Sequence, residues 1–262
     1  MSDRPNFHYD TFADETIVMM EKITGPPAAL MVKQSGVMDL AKSGADLAVL
    51  ELAGGAGVLT SHLLKDLPAT SQVKVTVTDL EPNMVRFANK RIEAEGWKNV
   101  EAKIANALDL SLPDGSFDAA FVNFGLQVMP DIPKALSEVH RVLRPASTFA
   151  YTVWTHVPTL PLFQRADPSF KFPPLESTYT RIADIPAALE AAGFTDVYVK
   201  PCTSPYTSEG PDDFLESMKK GMKPMFSDDA RNERVKELVA QDYSGGPFTL
   251  TWEGLIVTCK KA

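Results

Sequence analysis

Short apolar runs alternate with amphipathic stretches through most of this chain. The apolar runs have the length of buried strands, and they lie at residues 47–52, 73–78, 100–104, 117–123, 148–154, 194–200 and 248–259. The stretches that separate them read as helices, at residues 58–66, 81–95, 131–143 and 181–192. Strands that alternate with helices in this way predict an α/β fold, in which helices cover both faces of a parallel sheet.

The N-terminal segment shows a helical pattern only. Apolar residues recur at three- to four-residue steps within residues 10–40, and Gly25-Pro26-Pro27 interrupts them. Because proline is favoured in the first turn of a helix, a second helix is predicted over 28–40.

Two later segments depart from the alternation. Prolines and aromatics crowd residues 155–180, which predicts an ordered insertion that is neither helix nor strand. A second insertion at 201–244 is predicted to be mainly helical, over 211–222 and 228–242. The chain is therefore interpreted as one domain, 1–262, with a helical N-terminal lid (1–44), a core (45–155) and a segment that completes the sheet and carries the insertions (156–262).

Composition and charge narrow the possible partners. The net charge of −8 weighs against nucleic acid, because phosphate binding needs concentrated Lys and Arg. No secretory signal is visible, and no apolar run approaches the roughly 20 residues that a membrane helix needs, so a cytoplasmic protein is expected. Only Cys202 and Cys259 occur, without a partner motif, so neither a disulfide framework nor a metal site is indicated. A monomer or a weak homodimer is expected.

The turn after the first predicted strand is the most informative motif. Glu51 lies near the end of the strand, and the small residues Ala53-Gly54-Gly55-Ala56-Gly57 lead into a helix. Glycines in such a turn let a ligand approach bare backbone. A carboxylate beside it suits a cationic group and would repel a pyrophosphate.

Three further polar positions follow the next strands. Asp79 lies 22 residues beyond Gly57, a suitable distance for a carboxylate that binds both ribose hydroxyls. Asn106 follows the third strand and Asn123 ends the fourth. Ligands bind at the carboxyl ends of the strands in open α/β sheets, so these residues are expected to form one site. Each also has a structural interpretation: Asp79 as a helix N-cap, Asn106 as a turn residue.

These motifs together resemble those of class I S-adenosylmethionine-dependent methyltransferases, of the small-molecule type related to the ubiquinone/menaquinone-biosynthesis enzymes (methyltransferase type 11). The first family motif maps onto Glu51, Ala53, Gly55 and Gly57, with Ala53 where a glycine is usual. Similarity continues through residues 106–118, 126–131 and 140–145. Gln127 and Val128 stand where the family often has two histidines.

The resemblance implies a fold, a cofactor and a set of site residues. The fold is a Rossmann-like doubly wound sheet of seven strands, mostly parallel with an antiparallel last strand. The cofactor is S-adenosylmethionine, and the product is S-adenosylhomocysteine. Glu51 and the Asn123 carbonyl would hold its methionine end, Asp79 its ribose, and Met84 and Asn106 its adenine. The implied cofactor residues are Tyr9, Phe12, Glu51, Ala53, Gly55, Gly57, Asp79, Leu80, Met84, Asn106, Ala107, Leu108, Asn123 and Phe124.

The acceptor is less constrained by the sequence. A small, largely apolar metabolite is expected, with O or S as the methylated atom. His156 follows the fifth strand beside Trp154, and it is the candidate base. The predicted acceptor-binding residues are Gln127, Trp154, His156, Phe163 and Phe170.

Two other functions stay open at this point. An NAD(P)-dependent oxidoreductase would share the fold, but the turn lacks the third glycine of the dinucleotide fingerprint, and no Tyr-x-x-x-Lys pair exists. A cofactor-binding scaffold without methyl transfer would carry the same cofactor motifs.

Overall fold

A computed structural model describes residues 14–67, 71–172, 174–221 and 226–262. Its helices are α1 (Asp14–Ser35), α2 (Val37–Lys42), α3 (Val58–Lys65), α4 (Pro82–Ala94), α5 (Ile132–Val142), α6 (Thr159–Ala166), α7 (Ile185–Ala191), α8 (Pro211–Gly221) and α9 (Asp229–Asp242). Its strands are β1 (Leu47–Leu52), β2 (Val73–Asp79), β3 (Val100–Ile104), β4 (Phe117–Asn123), β5 (Leu143–His156), β6 (Phe194–Ser208) and β7 (Phe248–Lys261).

The strands form one sheet in the order β3-β2-β1-β4-β5-β7-β6. The first five pair in parallel, and β7 runs antiparallel to β5. The strand order reverses between β1 and β4, which is where doubly wound sheets bind their ligands. The predicted mixed sheet of seven strands is therefore confirmed for the part of the chain that is described.

The core explains why these segments form these elements. On β1, Val49, Leu50 and Leu52 are fully buried, as expected for a strand covered on both faces. Helix α5 begins at the N-cap Asp131, whose side chain accepts a hydrogen bond from the backbone N–H of Lys134 at 2.9 Å. Its apolar face contributes to a buried cluster with residues of β4, β5 and α7, including Leu136, Val139, Phe149, Tyr151 and Leu189.

The described residues divide into two compact units. The sheet unit comprises residues 24–67, 71–156, 174–203 and 253–262, and it contains β1 to β5. The helical unit comprises residues 14–23, 157–172, 204–221 and 226–252. Within the helical unit α6 and α8 both pack on α9, and Arg165 pairs with Asp242 at 2.5 Å.

The prediction that Gly25-Pro26-Pro27 separates two helices is wrong, because α1 runs through these residues to Ser35. Proline at position 26 removes the N–H that would bond to the carbonyl of Lys22. That carbonyl instead accepts a hydrogen bond from Ser204 Oγ at 3.4 Å. The helix ends at Ser35, directly before Gly36, which has a φ of 73°.

The prediction that residues 155–180 contain no helix is also wrong. Helix α6 occupies Thr159–Ala166, with Pro158 at its N-cap and Pro161 in its first turn. Prolines are compatible with these positions, since the N–H groups there have no partner within the helix. No described helix is long and apolar enough to cross a membrane.

Candidate cofactor-binding site

The carboxylate of Glu51 is the buried polar centre of the candidate site. Glu51 lies near the end of β1 with 1% of its surface exposed. One oxygen, Oε2, accepts hydrogen bonds from the backbone N–H of Thr60 at 3.1 Å and from the Thr60 hydroxyl. The other oxygen, Oε1, has no hydrogen-bond partner among the described residues.

The surroundings of Glu51 disfavour its charge. Burial raises the pKa of this carboxyl from 4.5 to about 7, and the hydrogen bonds from Thr60 only partly oppose that rise. The positive charge of Arg91 lowers the pKa slightly. An unpartnered, buried carboxylate oxygen is costly unless a cationic or hydrogen-bonding group meets it.

The turn after Glu51 has the backbone conformation that its small residues predict. Ala53, Gly55 and Gly57 have φ values of 49°, 54° and 75°. Gly54 must lack a side chain for another reason: a Cβ there would lie 2.7 Å from Val77 and 3.0 Å from the Glu51 side chain. The positive φ of Ala53 explains why the family usually has a glycine at this position, because glycine favours the left-handed conformation.

Asp79 fastens this turn to the next strand. Its Oδ2 accepts the backbone N–H of Gly55 at 2.9 Å, and its Oδ1 accepts that of Glu81 at 3.0 Å. Burial raises the pKa of Asp79, and these backbone bonds oppose the rise. The N-cap of α4 is Glu81 rather than Asp79. Asp79 is therefore an anchor for the glycine turn, and its oxygens keep lone pairs for a ligand.

The other predicted cofactor residues, of which Met84 and Asn106 are expected to meet the adenine, differ in exposure. Met84 is buried on α4, whereas Leu80 is 56% exposed after β2. Asn106 is exposed, and its Oδ1 accepts the backbone N–H of Leu108 at 3.0 Å, so it does form a turn. Ala107 packs against the apolar core of the sheet unit.

The segment after β4 is fixed to β5 by several polar contacts. Asn123 Oδ1 accepts a hydrogen bond from the Thr152 hydroxyl at 2.8 Å. Phe124 has a φ of 56°, and its N–H donates to Thr152 Oγ1 at 2.9 Å. Gln127 Oε1 accepts the backbone N–H of Trp154 at 2.6 Å. The side-chain oxygen of Gln127 therefore already accepts a hydrogen bond from the backbone of β5.

The predicted acceptor residues fall into two groups. Trp154 and His156 lie at the end of β5 in the sheet unit, where His156 is exposed and opposite Glu253 of β7. Phe163 and Phe170 belong to the helical unit, with ring centroids 5.0 Å apart. Their role as acceptor contacts stays a prediction. Tyr9 and Phe12 lie outside the described residues.

Arg231 explains part of the aromatic packing in the helical unit. Its guanidinium lies 5.5 Å from the ring centroid of Phe163 and 5.1 Å from that of Phe170. A cation above an aromatic face is attracted by the ring quadrupole. These two rings therefore help to build the helical unit, whatever else they contact.

The residues present fit S-adenosylmethionine. The unpartnered Oε1 of Glu51 suits its ammonium group, and Gly55 and Gly57 carry no side chain that would keep the methionine end away from the backbone of this turn. The described residues contain no group of three or more His, Cys, Asp or Glu side chains that could hold a metal ion.

Sequence reasoning missed three residues that build this site. Thr60 and Thr152 hold Glu51, Asn123 and Phe124 in place, and Gly125 makes room for Ala53, whose Cβ would lie 2.7 Å from a Cβ at position 125. Thr152 could have been identified from its position, because it lies near the carboxyl end of β5, and β5 is parallel to β4. No pattern in the sequence pointed to Thr60.

Comparison with known proteins identifies relatives across most of the chain. The model of the ubiE/COQ5 methyltransferase family matches residues 28–176. Methyltransferase tpcH of Aspergillus fumigatus is 31% identical over 222 residues, which cover 78% of this chain and 77% of that protein. The ubiquinone/menaquinone biosynthesis C-methyltransferase UbiE of Hydrogenovibrio crunogenus is 36% identical over 143 residues, which cover 54% and 55% of the two chains.

Among solved structures, the YcgJ protein from Bacillus subtilis has a similar fold. It superimposes with a TM-score of 0.62 at 19% sequence identity, over 89% of this chain and 97% of YcgJ. At that identity the likeness concerns the fold alone.

Proposed function

This chain belongs to the ubiE/COQ5 methyltransferase family and is an S-adenosylmethionine-dependent methyltransferase, and we propose that it methylates an O or S atom of a small, largely apolar metabolite. Family membership sets aside the oxidoreductase alternative. No observation favours the scaffold alternative, in which the cofactor binds without methyl transfer.

The proposed cofactor contacts start at the methionine end. Glu51 Oε1 and the Asn123 carbonyl receive the ammonium, while the backbone of Gly55 and Gly57 approaches the carboxylate end. Asp79 binds the ribose hydroxyls with the lone pairs that Gly55 and Glu81 leave free. The adenine lies against Leu80 and Met84, near the turn of residues 106–108. The burial of Glu51 and the hydrogen bond that the Gly55 N–H donates to Asp79 support this arrangement.

Bound S-adenosylmethionine supplies a methyl group on a positively charged sulfur, so the protein needs no nucleophile of its own. The chain's contribution is to hold the two reactants in line. Such positioning contributes on the order of 7–11 kcal/mol to the lowering of a barrier. The residues that lock β4 to β5, Asn123, Gln127 and Thr152, give this edge of the sheet a fixed geometry.

The acceptor atom is inferred from the bases near β4 and β5. Gln127 and Val128 replace the two histidines that the family often has, and the carbonyl oxygen of Gln127 already accepts the N–H of Trp154. This observation carries the proposal, because a carbon acid or an alcohol needs a strong proton acceptor, whereas a thiol or acidic phenol ionises readily in water. His156 is the proposed base for acceptors that do not arrive ionised. The relative UbiE is named a C-methyltransferase, so carbon is the competing acceptor atom.

The proposal is tested with a matched set of acceptors of similar size and apolarity. The set comprises an aryl thiol, an acidic phenol, an aryl amine and a simple aryl ketone as the weakly acidic carbon acid, each incubated with methyl-labelled cofactor. Methylated product from the thiol or phenol, identified by mass, supports the proposal. Product from the ketone or amine alone would reject it. Cofactor binding without any product from an extract of the source organism would favour the scaffold.

A further inference from the structure

Two aromatic rings stack at the carboxyl ends of adjacent parallel strands. Phe124 directly follows β4 and Trp154 lies near the end of β5. Their ring centroids are 3.5 Å apart, and the ring planes differ by 7°. Both side chains are partly exposed, so at least part of this stacked pair faces away from the protein interior.

This geometry is electrostatically unfavourable for two isolated rings. Each ring has a negative face and a positive edge, so aromatic pairs prefer offset or edge-to-face arrangements with centroids about 4.5–7 Å apart. At 3.5 Å and near-parallel planes the two negative faces lie directly over each other. The outer faces of such a pair carry negative potential, and a cation there would be attracted.

The backbone holds the rings in this arrangement. Phe124 has a φ of 56°, and its N–H donates to both the hydroxyl and the carbonyl oxygen of Thr152, at 2.9 and 3.2 Å. Gln127 Oε1 fixes the backbone of Trp154. Gly254 lies beside the pair: a Cβ there would lie 2.5 Å from the Val153 carbonyl oxygen, 3.3 Å from Phe124 and 3.4 Å from Trp154. The positive φ of Phe124 is a backbone conformation that non-glycine residues rarely adopt, and such backbone strain concentrates at functional sites.

The stacked pair also borders the proposed cofactor site. Phe124 lies between Asn123, the proposed ammonium contact, and Gly125. A Cβ on Gly125 would lie 2.7 Å from the Cβ of Ala53, so the Phe124 turn touches the turn that follows Glu51. Among the described residues, cation–π contacts involve Phe87, Trp97, Phe163 and Phe170, and none involves the stacked pair.

We propose that the stacked Phe124–Trp154 pair receives the sulfonium of S-adenosylmethionine and discriminates this charged cofactor from its neutral product. The inference rests on the proposed position of the methionine end. S-adenosylhomocysteine has the same nucleoside and amino-acid groups, but its sulfur is an uncharged thioether. A cation–π contact therefore strengthens the binding of the cofactor alone, and the spent product is released more readily.

The experiment compares the dissociation constants of the two ligands by calorimetry, with the full chain. Phe124→Leu and Trp154→Leu keep an apolar side chain and remove one ring. We expect each to lower the preference for S-adenosylmethionine over S-adenosylhomocysteine by roughly three- to tenfold, the range of a partly exposed cation–π contact. Trp154→Phe keeps a ring and should keep most of the preference.

Tyr243→Leu is the matched control, because Tyr243 and Phe248 form another stacked pair, with centroids 4.4 Å apart. It should leave the preference unchanged. Binding of S-adenosylhomocysteine also reports whether each variant is folded. Equal weakening of both ligands in the leucine variants, or a change only in the KM of the acceptor, would overturn the inference. If the folded wild-type chain binds neither ligand, the proposed cofactor site fails instead.

Discussion

The methyl group of Ala53 occupies the space that a side chain on Gly125 would need. A Cβ on Gly125 would lie 2.7 Å from the Cβ of Ala53, closer than real carbon contacts approach. The two residues belong to the turns after different strands, since Ala53 follows β1 and Gly125 follows β4. The alanine that departs from the family motif and the glycine two residues beyond Asn123 therefore depend on each other.

A double-mutant cycle measures this dependence. Gly125 has a φ of −91°, so its backbone accepts alanine and the opposition comes mainly from Ala53. We expect Gly125→Ala to lower the free energy of unfolding by about 1–3 kcal/mol. In the Ala53→Gly background most of that loss should disappear. Urea unfolding of the four proteins gives the coupling energy, and additive effects would refute the contact.

Cofactor affinity should rise with pH as Glu51 ionises. A cationic ammonium favours the charged carboxylate, whose pKa is about 7 in the free protein. If only the ionised form binds, the dissociation constant of S-adenosylhomocysteine falls on the order of tenfold between pH 6 and pH 7.5. Glu51→Gln should bind more weakly and lose this dependence. A pH profile that is identical in the two proteins would show that Glu51 does not meet the ammonium.

Thr60→Val provides the matched variant for the same carboxyl group. It removes the hydroxyl that donates to Glu51 Oε2 and keeps the side-chain shape and the backbone bond. Loss of that bond raises the pKa of Glu51 further, so the midpoint of the pH profile should move to higher pH. A midpoint that stays in place would assign the titration to another group.

Asp79→Ala should weaken cofactor binding roughly tenfold or more, a loss of about 1.4 kcal/mol, because charge-assisted bonds to the ribose disappear. Asp79→Asn is the informative companion, since it keeps one oxygen to accept the N–H of Gly55. Calorimetry with S-adenosylhomocysteine compares them. Unchanged affinity in both variants would leave Asp79 only as an anchor of the glycine turn.

The effect of His156→Gln on the rate should depend on the acidity of the acceptor. If His156 takes up a proton, the variant should lose about 100-fold in kcat/KM with a weakly acidic hydroxyl acceptor. It should change little with a thiol that ionises by itself, and the affinity for S-adenosylhomocysteine should stay the same. Equal rates with both acceptors would remove His156 from the reaction.

The sequence was sufficient for the sheet because buried parallel strands are continuous apolar runs. The predicted 47–52 and 117–123 coincide with β1 and β4. It failed at Pro26-Pro27 and at α6, where proline was taken to exclude helix. In the structure Ser204 donates to the carbonyl that Pro26 leaves without a partner, and the prolines of α6 lie at its N-cap and first turn.

The candidate site was predictable only in part, for a similar reason. Glu51 and Asp79 could be identified because charged residues at the ends of apolar strands stand out locally. The stacking of Phe124 on Trp154 depends on a positive φ at Phe124 and on the pairing of β4 with β5. Both are properties of tertiary structure, which no local pattern encodes.

The buried carboxyl group of Glu51 serves cofactor binding but lowers the free energy of unfolding. Its folded-state pKa exceeds its ordinary value of 4.5, so the free energy of unfolding declines as pH rises from about 4.5 to 7. Above that range the free protein bears the full desolvation of an incompletely bonded carboxylate. A well-packed apolar residue at position 51 would raise the free energy of unfolding and weaken cofactor binding. Engineering this chain for heat resistance should therefore leave position 51 untouched.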